Sequence, residues 1–221
     1  MSLILDDIFG SPNVGVYGFC NETVCLVPFG VSPRKAQRFR EVLNAPVLEC
    51  SIGGSYVIGA LVSGNSQGIL VPHTVRDYEL EAIRKTTDLK VEVLKERSTA
   101  IGNLVLANDY GAVVDPRLPD PVVEKISKTL GVEVARGEVF GLPFVGSHAV
   151  ATNKGVIAHP KIREAEKANI QETLKVPVEI GTINGGVPYP KSGLLANSHG
   201  AIAGTLTSGP ELMTISQTMG C

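Results

Sequence analysis

The stretch Gly59-Ala-Leu-Val-Ser-Gly-Asn-Ser-Gln-Gly-Ile-Leu-Val-Pro-His73 decides the fold. It predicts an apolar strand (Val57 to Val62), a turn from Asn65 to Gly68, a second apolar strand (Ile69 to Val71) and a proline that ends it. The same order returns at a fixed distance in both directions. Pro28, Pro72, Pro116 and Pro160 stand 44 residues apart, and one more step of 44 reaches Gly204. Asn21, Asn65, Asn108, Asn153 and Asn197 keep the same beat, with Gly68, Gly111, Gly155 and Gly200 following the last four. Five such units account for nearly all of the 221 residues, which makes the chain a repeat protein. Asn and Gly tolerate positive φ, so the pair is expected to supply the tight turn of a hairpin.

Working outward, the first strands of the later units are predicted at Leu104 to Ala107, Ala149 to Thr152 and Leu194 to Ala196. Their second strands are predicted at Ala112 to Val114, Val156 to Ala158 and Ala201 to Ala203. A helix then follows with a legible start. Ser32-Pro33 and Asp120-Pro121 place a capping residue before a first-turn proline, and Ser208-Gly-Pro-Glu211 is a capping box. Leu80 and Ile83, or Val122, Val123, Ile126 and Leu130, carry the helical apolar spacing. Third strands are expected at Val47 to Cys50, Val91 to Leu94, Val132 to Ala135 and Val176 to Ile180. The last helix, from about Pro210 to Met219, has no strand after it, and the strand Leu3 to Leu5 has no helix before it. The N-terminal strand is therefore expected to complete the fifth unit. The expectation is one domain over 1–221: an α/β ring with units at about 7–50, 51–95, 96–135, 136–180 and 181–221, closed by residues 1–6. An all-β propeller does not fit a helix in every unit.

Apolar residues make up 43% of the chain, enough to exclude intrinsic disorder. Twenty Lys and Arg against 22 Asp and Glu disfavour a protein that wraps nucleic acid by charge alone, so any RNA contact would be local. The basic cluster Arg34, Lys35, Arg38 and Arg40 is expected to be a solvated helix face. No segment has the length of a membrane span, and the opening residues carry no basic leader, so a soluble cytoplasmic chain is expected. Cys20, Cys25, Cys50 and Cys221 form no CxxC pair, and His73, His148, His159 and His199 are scattered. Reduced cysteines and no metal are expected. Cys20 and Cys25, if on one strand, would face opposite sides.

Several segments together resemble the archaeal and eukaryotic translation initiation factor 6 family over essentially the whole chain. They are the 59–73 stretch, Ser98-Thr-Ala-Ile-Gly-Asn-Leu104, Ala107-Asn-Asp-Tyr-Gly111, Val145-Gly-Ser-His148, Thr152-Asn-Lys-Gly155 and Ser208-Gly-Pro-Glu-Leu212. The resemblance implies the pentein fold, a five-bladed α/β propeller. It implies binding to the intersubunit face of the large ribosomal subunit, against an L14-type ribosomal protein and near the sarcin–ricin loop, which blocks the small subunit. It implies neither catalysis nor a cofactor, and no DNA or membrane partner; a monomer is expected. The contact residues it implies are Gly15, Ala60, Asn103, Ser147 and His148, at or just after a glycine in successive units. The hairpin asparagines are expected to serve the turns rather than a partner. Two other readings stand beside this one. One is a pentein enzyme acting on guanidino groups through a Cys nucleophile, with Cys221 the only cysteine near the C-terminus; the other is a scaffold for an unrelated protein.

Overall fold

A computed structural model describes residues 2–220. Cys221, the cysteine singled out for the enzyme reading, lies outside the described residues.

Each middle strand of the five sheets is an unbroken apolar run because it is covered on both faces. Cys25–Pro28, Gly68–Pro72, Gly111–Val114, Val156–Ala158 and Gly200–Gly204 are buried at every position. On one side of each lies a short antiparallel inner strand: Phe19–Cys20, Ser63–Gly64, Val105–Ala107, Ala149–Ala151 or Leu194–Ala196. On the other side lies a parallel outer strand: Val47–Cys50, Lys90–Leu94, Glu133–Arg136, Val178–Ile180, and for the fifth sheet Ser2–Asp6. The N-terminal strand thus closes the ring as expected, with Ser2 beside Gly200 and Asp6 beside Gly204. The result is a pentein-type arrangement of five three-stranded sheets.

In the first four sheets, a parallel pair needs a crossover, which a helix supplies (Pro33–Leu43, Asp77–Thr86, Asp120–Leu130, Glu164–Leu174). Gly209–Met219 stands in the corresponding place after the fifth middle strand. Ser32 caps the first of these, its hydroxyl accepting from the Lys35 N–H at 3.3 Å. Ser208 and Glu211 form the expected capping box. In the third helix the cap is Pro119 rather than Asp120, which is the first helical residue. The cores lie between successive sheets. One gathers Phe19, Leu26, Ile52, Ile58, Ile69 and Ile83; the next gathers Leu70, Leu94, Ile101, Val114, Ile126 and Leu130.

The stretch that decides the fold contains one misreading. Val57 to Val62 is not a strand: Ile58–Leu61 is a single helical turn, and the inner strand is Ser63–Gly64. Every unit has such a turn: Val14–Tyr17, Ile101–Leu104, Val145–His148 and Pro190–Gly193 complete the set. Consecutive turns touch, and the last touches the first, so they form a closed inner ring. A Cβ on Gly59 would overlap the carbonyl oxygen of Gly15, one on Gly102 that of Gly59, and one on Gly146 that of Gly102. Glycine is what lets these backbones meet. Three outer strands also differ slightly from expectation, beginning at Lys90 rather than Val91, at Glu133 rather than Val132 and at Val178 rather than Val176.

The hairpin asparagines do not adopt positive φ. Their side chains tie the ring together instead. The carboxamide oxygen of Asn108 accepts from the N–H groups of Tyr110 and Gly111, while its amide donates to the Thr152 and Leu174 carbonyls, at 2.9 to 3.1 Å. Asn65 and Asn197 do the same toward Asn108 and Leu130, and toward Asn21 and Leu43. In the fourth unit this position is Thr152, not Asn153. Glycine follows for space: a Cβ on Gly111 would overlap the Thr173 carbonyl.

Cys20 and Cys25 are not on one strand. They face each other across the first hairpin, and with Cys50 they are free thiols. In the basic cluster, Lys35 bridges Asp6 and Asp7 at 3.0 and 2.9 Å, and Arg38 reaches Asp6 at 3.2 Å. Half of that cluster therefore anchors the helix to the N-terminal strand.

Candidate functional site

The ring of one-turn helices surrounds a depression on the pseudo-fivefold axis, of about 190 Å3. Its floor is made by the residue one step beyond each glycine position: Val16, Ala60, Asn103, Ser147 and Ser192. Gly15, Gly59 and Lys191 also line it, and Tyr189 stands in its wall. Asn103 is the one carboxamide among these residues, so it offers both a donor and an acceptor in otherwise sparsely polar surroundings.

Around the depression the turns that enter the one-turn helices carry exposed aromatic rings. Phe9, Tyr56, Phe140, Phe144 and Tyr189 are each 39 to 51% exposed. Phe9 packs edge-on against Tyr17 and lies 6.3 Å from Tyr56. Cations sit over two of the rings: the Arg117 guanidinium 4.9 Å from the Phe144 centroid and Lys161 Nζ 5.6 Å from that of Phe140. The rim is thus locally basic and aromatic in a chain of net charge −2. Exposed aromatic residues and arginine are what interface centres are enriched in.

Carboxylates brace the same turns. Glu79 accepts from the N–H groups of Gly53 and Gly54, Glu166 from Phe140 and Gly141, and Glu211 from Gly185 and Gly186. Burial works against the charge of Glu211. The N–H groups of Ser208 and Gly186 and the hydroxyls of Thr182 and Ser208 outweigh it, bringing its pKa down to about 2.

Of the expected contact residues, the structure brings Gly15, Ala60, Asn103 and Ser147 into one depression. It places His148 elsewhere. That ring is only 4% exposed, its Nδ1 lying 2.7 Å from the Phe144 carbonyl and 2.9 Å from the Ser147 hydroxyl. A carbonyl can only accept, so Nδ1 carries a proton, while Nε2 is buried without a partner. His148 packs against His159 and Tyr189 at 5.8 and 5.3 Å between centroids, and His159 stacks on Phe140 at 4.9 Å. Burial, then the neighbouring His148 and Lys161, push the His159 pKa below its ordinary value. The two histidines therefore support the rim from beneath, where an exposed polar contact was expected of His148.

Reading from the glycines misses Val16, Tyr189 and Ser192. The fifth turn, Pro190–Gly193, has Lys191 where the other four have glycine, so the marker that aligns the units is absent there. At the opposite end of the axis the hairpin turns carry Glu22, Asp109 and Asn153; Glu22 accepts from Ser198, and Asp109 from Ser66 and Asn153.

The fold and this face define a class: a pentein-type ring with a recessed, weakly polar floor and an aromatic rim. Residues 5–218 match the model of the eIF-6 family. Three relatives called translation initiation factor 6 are similar over nearly their whole length. The one from Pyrococcus abyssi is 43% identical over 219 residues, covering 97% of this chain and 96% of the relative. Those from Methanosarcina mazei and Haloquadratum walsbyi are 42% and 44% identical, covering 97% and 96% of this chain and 96% and 93% of the relatives. The chain belongs to the eIF-6 family. Among the described residues no helix is long and apolar enough to cross a membrane.

Proposed function

We propose that this chain is a cytoplasmic factor of translation initiation that occupies the intersubunit face of the large ribosomal subunit and excludes the small subunit. The observation that carries the reading is the axial depression with its aromatic rim, exposed on a chain whose relatives bear the name translation initiation factor 6. A rigid closed ring presents five turns at once, so little ordering entropy is lost on docking. The contact residues are then Ala60, Asn103 and Ser147 on the floor, with Gly15 serving backbone approach, and the partner is a ribosomal protein of the L14 type. The cations over Phe140 and Phe144 supply a local contact for rRNA, including the sarcin–ricin loop. Exclusion by occupancy needs no reacting group. Cys20 and Cys50, pushed up to about 12 mainly by burial, are poor nucleophiles, which speaks for binding over guanidino chemistry.

Sedimentation with separated archaeal subunits tests this reading. The chain is expected to travel with the large subunit and to reduce joined ribosomes as it is added. Asn103→Trp, which fills the depression, is expected to abolish comigration with less than about 1 kcal/mol change in stability at this partly exposed site. Normal comigration of that variant would show that another surface binds.

A further inference from the structure

Four rings meet beneath the rim of the fourth and fifth units. Phe140 and Tyr189 are the exposed members, and His148 and His159 lie under them, 4 and 3% exposed. His159 is nearly parallel to Phe140, at an interplanar angle of 6°, while His148 and His159 meet the Tyr189 ring at 5.3 and 5.4 Å between centroids. Tyr189 in turn stands in the wall of the depression. Two imidazoles thus hold up that part of the wall.

Their hydrogen bonds leave neither imidazole a place for a second proton. His148 Nδ1 carries one already, directed at the Phe144 carbonyl, and a proton on the buried Nε2 would make a cation whose new N–H meets no acceptor. His159 is held the other way round. Its Nδ1 accepts from the Lys161 N–H at 3.1 Å, so its own proton is on Nε2, and a second would have to enter at Nδ1 against that N–H. Among the described residues no carboxylate bonds either ring. The His148 turn packs against Ile101–Leu104, Pro190–Gly193, Val105–Ala107, Ala149–Ala151 and Gly111–Val114, where the one charged residue is Lys191. Asp115, next after Gly111–Val114, is taken by Arg117 at 2.7 Å. Around His159, Glu166 and Glu211 are occupied by N–H groups of the rim turns and of their own helices. Glu179 is exposed on the outer strand, Glu138 lies on the Phe140 turn, and Lys161 and Arg163 add positive charge.

We propose that His148 and His159 form an acid-sensitive latch on the rim: uptake of one proton by the pair releases the rings, Tyr189 and Phe140 leave their places, and the wall of the depression opens. The charge is relieved only when the protonated ring turns out to water, so the proton is bound by the open form and refused by the closed one. The third unit shows the same framework without the titrating pair. Leu104 and Asp115 stand 44 residues before His148 and His159, and the Asp115 N–H donates to the Leu104 carbonyl as the His159 N–H donates to that of His148. The consequence for docking rests on the reading of the depression as the surface that meets the large subunit: the grip is full at neutral pH and weakens in acid.

Two measurements on the full chain test the latch. In the free protein, nuclear Overhauser contacts between the His148 and Tyr189 rings are expected at about pH 7.5 and lost at about pH 5.5, with the midpoint of the histidine titration. Contacts that persist in acid would overturn the proposal, whatever the ribosome does. In sedimentation with the large subunit, the dissociation constant is expected to rise roughly tenfold over the same range, whose lower end lies about one unit below the ordinary histidine value of 6.5. The double variant His148→Leu, His159→Asn imitates Leu104 and Asp115 and is expected to bind with one constant at both ends. An equal pH dependence in wild type and variant would refute control by this pair. Wild type that fails to bind at neutral pH would sink the large-subunit reading alone. The ring contacts of wild type then judge the latch by themselves, as they do if the variant fails to fold.

Discussion

Thr152 holds the place that asparagine holds in the other four units. Its hydroxyl accepts from the N–H groups of Lys154 and Gly155, as the carboxamide oxygens do elsewhere, but it reaches the fifth unit only through the Met219 sulfur at 3.4 Å and has no amide to offer that unit's carbonyls. Thr152→Asn is therefore expected to stabilise the ring by about 0.5–1.5 kcal/mol, the net worth of an added hydrogen bond. Asn108→Ala should lower stability by about 2–4 kcal/mol, because it leaves buried carbonyls of two other elements without donors. Urea unfolding of the two variants measures both. Periodicity located this belt but misnamed its fourth member. An asparagine does follow at 153, yet its side chain bonds Asp109 in an outer layer. At the same scale, His159 gives a pH dependence. Its pKa is depressed in the folded state, so the folded chain binds the proton later than the unfolded chain does. The contribution to stability is whole above the ordinary histidine value of 6.5 and is lost as pH falls below it. Thermal melts between pH 7 and 5 are expected to fall for wild type and to flatten for His159→Gln.

Each long helix does two things at its N-terminus where it carries a third-position glutamate: it caps itself and braces the turn that holds the rim. Glu211 bonds the Ser208 N–H of its own helix and the Gly185 and Gly186 N–H groups of the turn. Glu211→Gln should cost about 1–3 kcal/mol, since an amide cannot accept at both of its atoms. Because its folded pKa is about 2, its share of stability is present above the ordinary glutamate value of 4.5 and disappears as pH falls toward 2. Acid titration of the melting temperature below pH 4.5 is therefore expected to be shallower in the variant than in wild type. The capping serine and glutamate were legible because local spacing dictates them. The one-turn helices were not. Ile58 to Leu61 is apolar and four residues long, and such a run has no period to tell strand from helix. What selects the helical turn is contact with the neighbouring unit through Gly59, which local sequence does not encode. The floor of the depression was half-legible for the same reason: four turns are flagged by glycine and the fifth, with Lys191, is not.

For the whole molecule, closure was legible from what the ends lacked: a strand without a helix at one, a helix without a strand at the other. The structure gives that inference an energetic consequence. Ser2–Asp6 covers the edge of Gly200–Gly204, and Asp6 is also the buried carboxylate that Lys35 and Arg38 grip, so the first helix and the fifth sheet meet at this strand. A ring of units that each contact only their neighbours owes its cooperativity to having no ends. Removing residues 1–6 should do more than delete five pairings. It opens an apolar edge, Gly200 to Gly204, to pairing with another chain, and it strands Lys35 beside the single carboxylate of Asp7. The truncated chain is expected to lose its sharp single melting transition in calorimetry and to elute as oligomers in light-scattering chromatography. Asp6→Asn keeps the strand but removes its charge, so it should lower the melting temperature while leaving one transition and the wild-type mass. If the truncated chain instead melted in one transition at the wild-type mass, the N-terminal strand would be a decoration on a ring that its inner helices close unaided.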